Sequence, residues 1–139
     1  MALEKLITSA NGIIMNYHRI DHFETQSNKI IVYVKSYADK SYRLQEQEMQ
    51  TKSDLANSLR QQISDEMLKI DTDEYDKELI QNLTDQVNEL GFPNPVDLSI
   101  ITRKFEYDLD TSSNFSYTAI YDWLKSEEIF KDATDSEEI

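Results

Sequence analysis

The stretch Lys29-Ile30-Ile31-Val32-Tyr33-Val34-Lys35-Ser36-Tyr37 decides the fold class. Six of its nine residues are β-branched or aromatic, the side chains that suit a pleated, half-buried surface. Just before it, Gln26-Ser27-Asn28 is a polar turn. Further upstream, Ile13, Met15 and Tyr17 alternate with Asn16 and His18, a period of two that runs on through Arg19 and Ile20 to Phe23. Asn11-Gly12 precedes this run, a pair that tolerates the positive φ of a type I′ hairpin turn. Leu3 to Ile7 is a short apolar-rich segment. Residues 2–37 therefore predict a three-stranded antiparallel meander. Such a sheet is near the minimum for stability and needs something packed on its apolar face.

Downstream the period lengthens. Residues 41–52 are polar, an exit from the sheet or the start of a helix. Ser53 is the expected N-cap of a helix in which Leu55, Leu59, Ile63 and Met67 recur every four residues. Asp71-Thr72-Asp73-Glu74 interrupts the run; Thr72 can cap the next helix, and the acids suit the positive end of its dipole. Tyr75, Leu79, Ile80, Leu83, Val87 and Leu90 form the second apolar stripe. Gly91 falls where a left-handed residue commonly ends a helix, and Pro93 follows. Residues 53–70 and 73–90 thus read as an αα-hairpin. Its stripes can pack on the sheet, on each other or on a neighbouring subunit.

Phe92-Pro93-Asn94-Pro95 is a rigid connector. Val96 to Leu109 reads as a further strand, in which Phe105, Tyr107 and Leu109 alternate with Lys104, Glu106 and Asp108. A turn-rich loop from Asp110 to Asn114 leads to a last helix, capped by Asn114 or Ser116. That helix carries Tyr117, Ile120, Tyr121 and Leu124, with Trp123 widening the stripe. The acidic end is expected to fray. The whole reads as an α+β fold: an antiparallel sheet made of the meander plus a later strand, an inserted αα-hairpin and a C-terminal helix. One domain is expected over 1–139, divided into a meander (1–45), a helical insert (46–92), strand plus helix (93–130) and an acidic tail (131–139).

The chain has 139 residues, 27 of them acidic and 14 basic, for a net charge of -13. That length suits one domain burying roughly two thirds of the surface of its unfolded chain. The charge argues against nucleic acid and anionic membranes as partners, because both are held largely by Lys and Arg. It is unevenly spread: residues 1–52 carry +1 and residues 53–139 carry -14. The acidic half is either a solvated helical region or an interaction surface. With no Cys, a disulfide scaffold, a thiolate metal site and a thiol nucleophile are excluded. The scarcity of Gly and Pro, 2 each, excludes Gly-rich phosphate loops and Pro-rich linkers. Glu4 breaks the apolar run that a secretory signal needs, and no window reaches the ~18 apolar residues of a membrane span. The expectation is a complete small product of a reducing cytoplasm, in which the sequons at Asn82 and Asn114 stay unmodified.

His18 and His22 are the only histidines. On a strand their Cα atoms are ~13 Å apart, too far to share one ion. Asp71-x-Asp73 and Asp108-x-Asp110-x-Ser112 resemble the starts of calcium loops but lack the Gly and the bidentate Glu that such loops need. No metal and no cofactor is expected. No Ser carries the local signature of a hydrolase elbow, and carboxylate pairs arise by chance among 27 acids. No catalytic residue is therefore singled out. Contact residues are the better candidates. Tyr17, Tyr33, Tyr37 and Tyr42 cluster on the sheet region, and serve either sheet packing or an interface. On the second helical stripe Leu79, Leu83 and Val87 are candidates of the same kind.

Two stretches carry a family resemblance. One is Asn11-Gly12-Ile13-Ile14-Met15-Asn16-Tyr17-His18-Arg19-Ile20, with Ser36-Tyr37-Ala38-Asp39-Lys40-Ser41-Tyr42-Arg43 behind it. The other is Ala119-Ile120-Tyr121-Asp122-Trp123-Leu124-Lys125, followed by Phe130-Lys131-Asp132-Ala133. Together they resemble the small tail- or baseplate-associated proteins encoded by phages and prophages of Gram-positive bacteria. The resemblance covers roughly residues 1–45 and 100–135, and the chain departs from it over 46–98. It implies a non-enzymatic virion or assembly role, contacts with other tail proteins or sister subunits, a homo-oligomer, and a place in the virion after assembly in the host cytoplasm. Two alternatives stand beside it. One is a tail-assembly chaperone whose hairpin binds a long helical tape-measure protein. The other is an acidic DNA mimic that occupies a basic nuclease groove.

Overall fold

The computed structural model describes residues 2–70, 72, 75–108 and 116–136. Asp71, Asp73, Leu109, Asp110 and Asn114, on which several expectations fall, lie outside the described residues. The elements are β1 (Ala2–Thr8), β2 (Ile14–Gln26), β3 (Lys29–Tyr37), α1 (Lys40–Met67), α2 (Lys77–Glu89), β4 (Ile101–Asp108), α3 (Tyr117–Ser126), a 3-10 turn (Glu128–Phe130) and β5 (Thr134–Ser136). The strands form one antiparallel sheet in the order β4-β3-β2-β1-β5. The protein is an α+β fold. It forms two compact units, residues 1–44 with 98–139 and residues 45–97.

In the sheet unit the meander is present, but its first turn differs from the type I′ expectation. Ser9 N–H donates to Ile13 O at 2.8 Å and Gly12 N–H donates to Ser9 O at 2.9 Å. Gly12 has φ +80°, while Asn11 is not in the left-handed region. The loop is therefore a three-residue one closed by a left-handed Gly. Ser9 Oγ helps hold this larger loop by accepting from Ile13 N–H at 3.1 Å. In the second turn, Gln26 pairs with Lys29, so Ser27 and Asn28 make a two-residue hairpin with Ser27 at φ +53°.

One face of the sheet is covered by α3 and the 3-10 turn. Leu3, Met15, Ile20, Ile30, Val32 and Val34 meet Ile120, Tyr121, Leu124 and Phe130 in a continuous buried core. Ser116 caps α3 by accepting from Ala119 N–H at 3.3 Å. Of the expected stripe on α3, Ile120, Tyr121 and Leu124 are buried and Tyr117 is exposed. β4 starts at Ile101, later than the expected Val96. Its partner β3 ends at Tyr37, and Ile101 is already opposite Ser36; Ile100 N–H still donates to Ser36 O at 2.8 Å, and residues 96–99 lie beyond the end of β3.

The expected frayed tail is corrected over 131–136. Thr134–Ser136 pair with β1, Ala2 opposite Ser136 and Glu4 opposite Thr134. Ser136 Oγ donates to Glu4 Oε1 at 2.7 Å. Just before this strand, Phe130 is fully buried, with ring centroids 5.2 Å from His18 and 5.6 Å from Phe105.

α1 and α2 hold most of the second unit. α1 begins at Lys40, not at Ser53, because Asp39 Oδ1 accepts Ser41 N–H at 2.7 Å and caps it. Ser53 is buried in mid-helix with Glu46, Ala56, Leu59 and Glu66. Leu55 and Met67 are exposed. A strict spacing of four drifts about 40° around a helix at each step, so it cannot stay on one buried face, whereas mixed steps of three and four can. α2 is capped by Asp76, which accepts Leu79 N–H at 3.1 Å, and not by Thr72. Thr72 instead donates both its N–H and its hydroxyl to Lys69 O, at the end of α1. Buried Glu66 joins the two helices: its Oε1 accepts Asp76 N–H at 2.9 Å and its Oε2 meets Lys69 Nζ at 3.3 Å. Gly91, at φ +72°, stops α2 as expected.

Candidate functional site

Three groups of side chains bear on function. The first lies against Phe130 of the 3-10 turn. His18 Nε2 is 2.8 Å from Lys5 O, so this nitrogen carries the proton. Nδ1, at 2.8 Å from Ser36 Oγ, is then the acceptor of the Ser36 hydroxyl proton. Ser36 Oγ accepts in turn from Arg103 at 3.0 Å. Burial pushes the His18 pKa down; the hydrogen bond to Lys5 O opposes this, and the charges of Arg103 and Lys5 add to it. A Ser–His contact of this geometry resembles half of a hydrolytic machine. Both residues are fully buried, however, and the second imidazole nitrogen is bound to a backbone carbonyl. The trio binds β1, β2, β3 and β4 together and has no room for a substrate.

The second group is on the opposite face of the sheet. Asp21 Oδ1 is 3.3 Å from Arg19 and 3.6 Å from Lys35, and its Oδ2 is 2.8 Å from His22 Nδ1. Burial pushes the Asp21 carboxyl up, but the His22 hydrogen bond and the charges of Lys35, Arg19 and His22 outweigh it, and the pKa is lowered. The His22 ring stacks on Tyr33 with centroids 4.3 Å apart. The carboxylate is thus committed to three partners and is kept ionised, which suits cross-strand pairing rather than proton transfer. Near the β2–β3 turn, Gln26, Ser27, Lys29, Ile31, Glu106 and Asp108 line a cavity of about 490 Å³. Among the described residues no group of three or more His, Asp or Glu is arranged to hold a metal ion.

The third group is the surface of the helical unit. That unit carries 13 acidic residues against 4 basic, and the sheet unit 14 against 10. The concentration of charge seen along the sequence is therefore shared, since the acids of 98–139 belong to the sheet unit. Apolar side chains stand out amid the acids of the helical unit. Leu68 is 81% exposed and Phe92 91%, and Met67, Ile70 and Leu79 are also exposed.

The candidate contact residues separate accordingly. Tyr17 and Tyr37 are fully buried beside Ala2, so they are core residues with no surface to offer. Arg19 Nε donates to the Tyr37 hydroxyl at 3.3 Å. Tyr33 is half-buried on the sheet, stacked on His22. Tyr42 is exposed but lies on α1, not on the sheet, because the helix starts earlier than expected. Leu83 is buried, Val87 half-buried and Leu79 exposed. The sequence reading missed Leu68, Ile70 and Phe92 as surface apolar residues; their positions outside both stripes were the available signal. No described helix is long and apolar enough to cross a membrane. No family model, no curated protein and no solved structure matches the chain.

Proposed function

We propose that the protein works by protein–protein contact, as a structural or assembly component of a phage tail or baseplate, in the virion or on the way to it. The observation that carries this reading is the surface of the helical unit. The unit carries 13 acidic residues against 4 basic in its sequence, and its surface exposes Leu68, Ile70, Leu79 and Phe92. A partner that covers these side chains would withdraw their apolar area from water, which supports docking on another protein. Sheet and helical units also divide as the resemblance does: the stretches that resemble tail proteins lie mainly in the sheet unit, and the departing segment supplies the helical one. The same apolar residues favour a second reading, a chaperone that covers apolar helices of a tape-measure protein until assembly. Mass spectrometry of purified particles tests both. The first reading expects the chain among the virion proteins. Its absence there, with co-purification on the tape-measure protein, would establish the chaperone; absence from both would overturn the proposal.

A further inference from the structure

We propose that β4 is a self-complementary edge through which two copies of this chain join their sheets antiparallel, about a twofold axis at Phe105. This goes beyond the tail reading and does not depend on it. β4 is the first strand of the order β4-β3-β2-β1-β5, so among the described residues no strand pairs with its outer side. Its eight residues contain no Pro, so every outward N–H is available for a ladder. Natural edges are usually short or otherwise blunted against such pairing. Here the opposite edge, β5, has only three residues.

The charges of β4 select a partner. Register with β3 puts Arg103, Phe105 and Tyr107 opposite Val34, Val32 and Ile30, on the core side. Thr102, Lys104, Glu106 and Asp108 alternate with them and are exposed on the other face. Lys104 and Glu106 meet within the strand at 3.3 Å. A twofold axis perpendicular to the sheet keeps each residue on its own face, so the register can change only in steps of two residues along the partner. With Phe105 opposite Phe105, each Lys104 stands opposite Glu106 of the second copy, and four alternating charges form a closed ring. One step to either side places Lys104 opposite Lys104, or Glu106 opposite Glu106 with Lys104 opposite Asp108; the register at Phe105 keeps both opposite-charge pairs with no like pair between them. Like charges directly opposed are destabilising. A single register is therefore favoured, and the partner it fits is a second copy of the same strand.

Analytical ultracentrifugation of the full chain tests the pairing. The expected result is a concentration-dependent species of twice the 16.3 kDa chain mass. Lys104→Glu or Glu106→Lys alone should weaken it on the order of tenfold or more, because each variant opposes like charges. Mixing the two single variants, or combining them as K104E/E106K, should restore it, since each arrangement sets opposite charges face to face again. Both side chains are about half exposed, so circular dichroism of the variants should match the parent chain. A chain that stays monomeric at every concentration would overturn the proposal. So would a dimer insensitive to the single reversals, or a mixture of variants that fails to reassociate.

Discussion

The hydroxyl of Tyr121 accepts a hydrogen bond from the backbone N–H of Ile20 at 3.0 Å, at the edge of the register break in β2. A break in a ladder leaves a buried donor without its strand partner, and such a donor needs another acceptor. The helix that covers the sheet supplies it from 101 residues away. Tyr121→Phe should therefore lower unfolding stability by about 1–3 kcal/mol, the cost of leaving a buried N–H unsatisfied. Urea denaturation of the variant beside the parent chain measures it.

Phe130 joins the C-terminal segment to the core, against His18 and Phe105. Phe130→Ala is expected to cost about 3–5 kcal/mol, the range for large-to-small changes at fully buried aromatic positions. Hydrogen exchange should show β1 and β5 losing protection first, since β5 pairs with β1 over three residues and follows the Phe130 turn directly in the chain. Unchanged protection of β1 would contradict the role assigned to this side chain.

His18 makes stability depend on pH. Burial holds its folded pKa below 6.5, so the folded state favours the neutral ring. Its contribution is complete above the unfolded pKa and is lost as pH falls from 6.5 towards the lower folded value. The urea midpoint should drop between neutral and mildly acidic pH. In His18→Gln, the drop across that window should be smaller, although the variant is less stable overall.

Gly12 has φ +80° with nothing within 4 Å of where a Cβ would stand. Gly12→Ala should therefore cost about 1–2 kcal/mol from backbone strain alone, and Gly12→Asn less, because Asn tolerates the left-handed region. A thermal melt of the two variants separates strain from packing: equal losses in both would point to a contact rather than to φ.

Asp76 caps α2 from an exposed position. Asp76→Ala should weaken that helix by about 1 kcal/mol. Amide exchange should rise in the first turn of α2 and stay unchanged in the sheet unit.

Much of the fold was legible in local pattern. The dense β-branched run at 29–37, the Gly stop at 91 and the stripe Ile120, Tyr121, Leu124 all act within a few residues, where side-chain geometry and backbone sterics decide the outcome. The helix starts were less legible, because Asp39, Ser53, Thr72 and Asp76 are all competent caps by residue type. The chain used the first and the last of them.

The groups tested as sites were less legible still. Extending the Gln26–Lys29 turn backward without a break would put His18 opposite Tyr37. The register shift between Ile20 and His22 moves it opposite Ser36 instead, and so creates the buried His18–Ser36–Arg103 chain. A bulge depends on packing above the sheet, which one strand's sequence does not display.

Sequence alone thus determined the three-stranded meander, the helical pair and the last helix as elements, where Gly ends or turns the chain, and that acids dominate. These follow from φ, period and charge, properties each residue carries with it. Tertiary structure alone decided that Tyr17 and Tyr37 are buried, that the acidic end holds a strand on β1, and that β4 is left at the sheet edge. Those outcomes depend on which distant segments meet, and burial and strand pairing are properties of the meeting rather than of either partner.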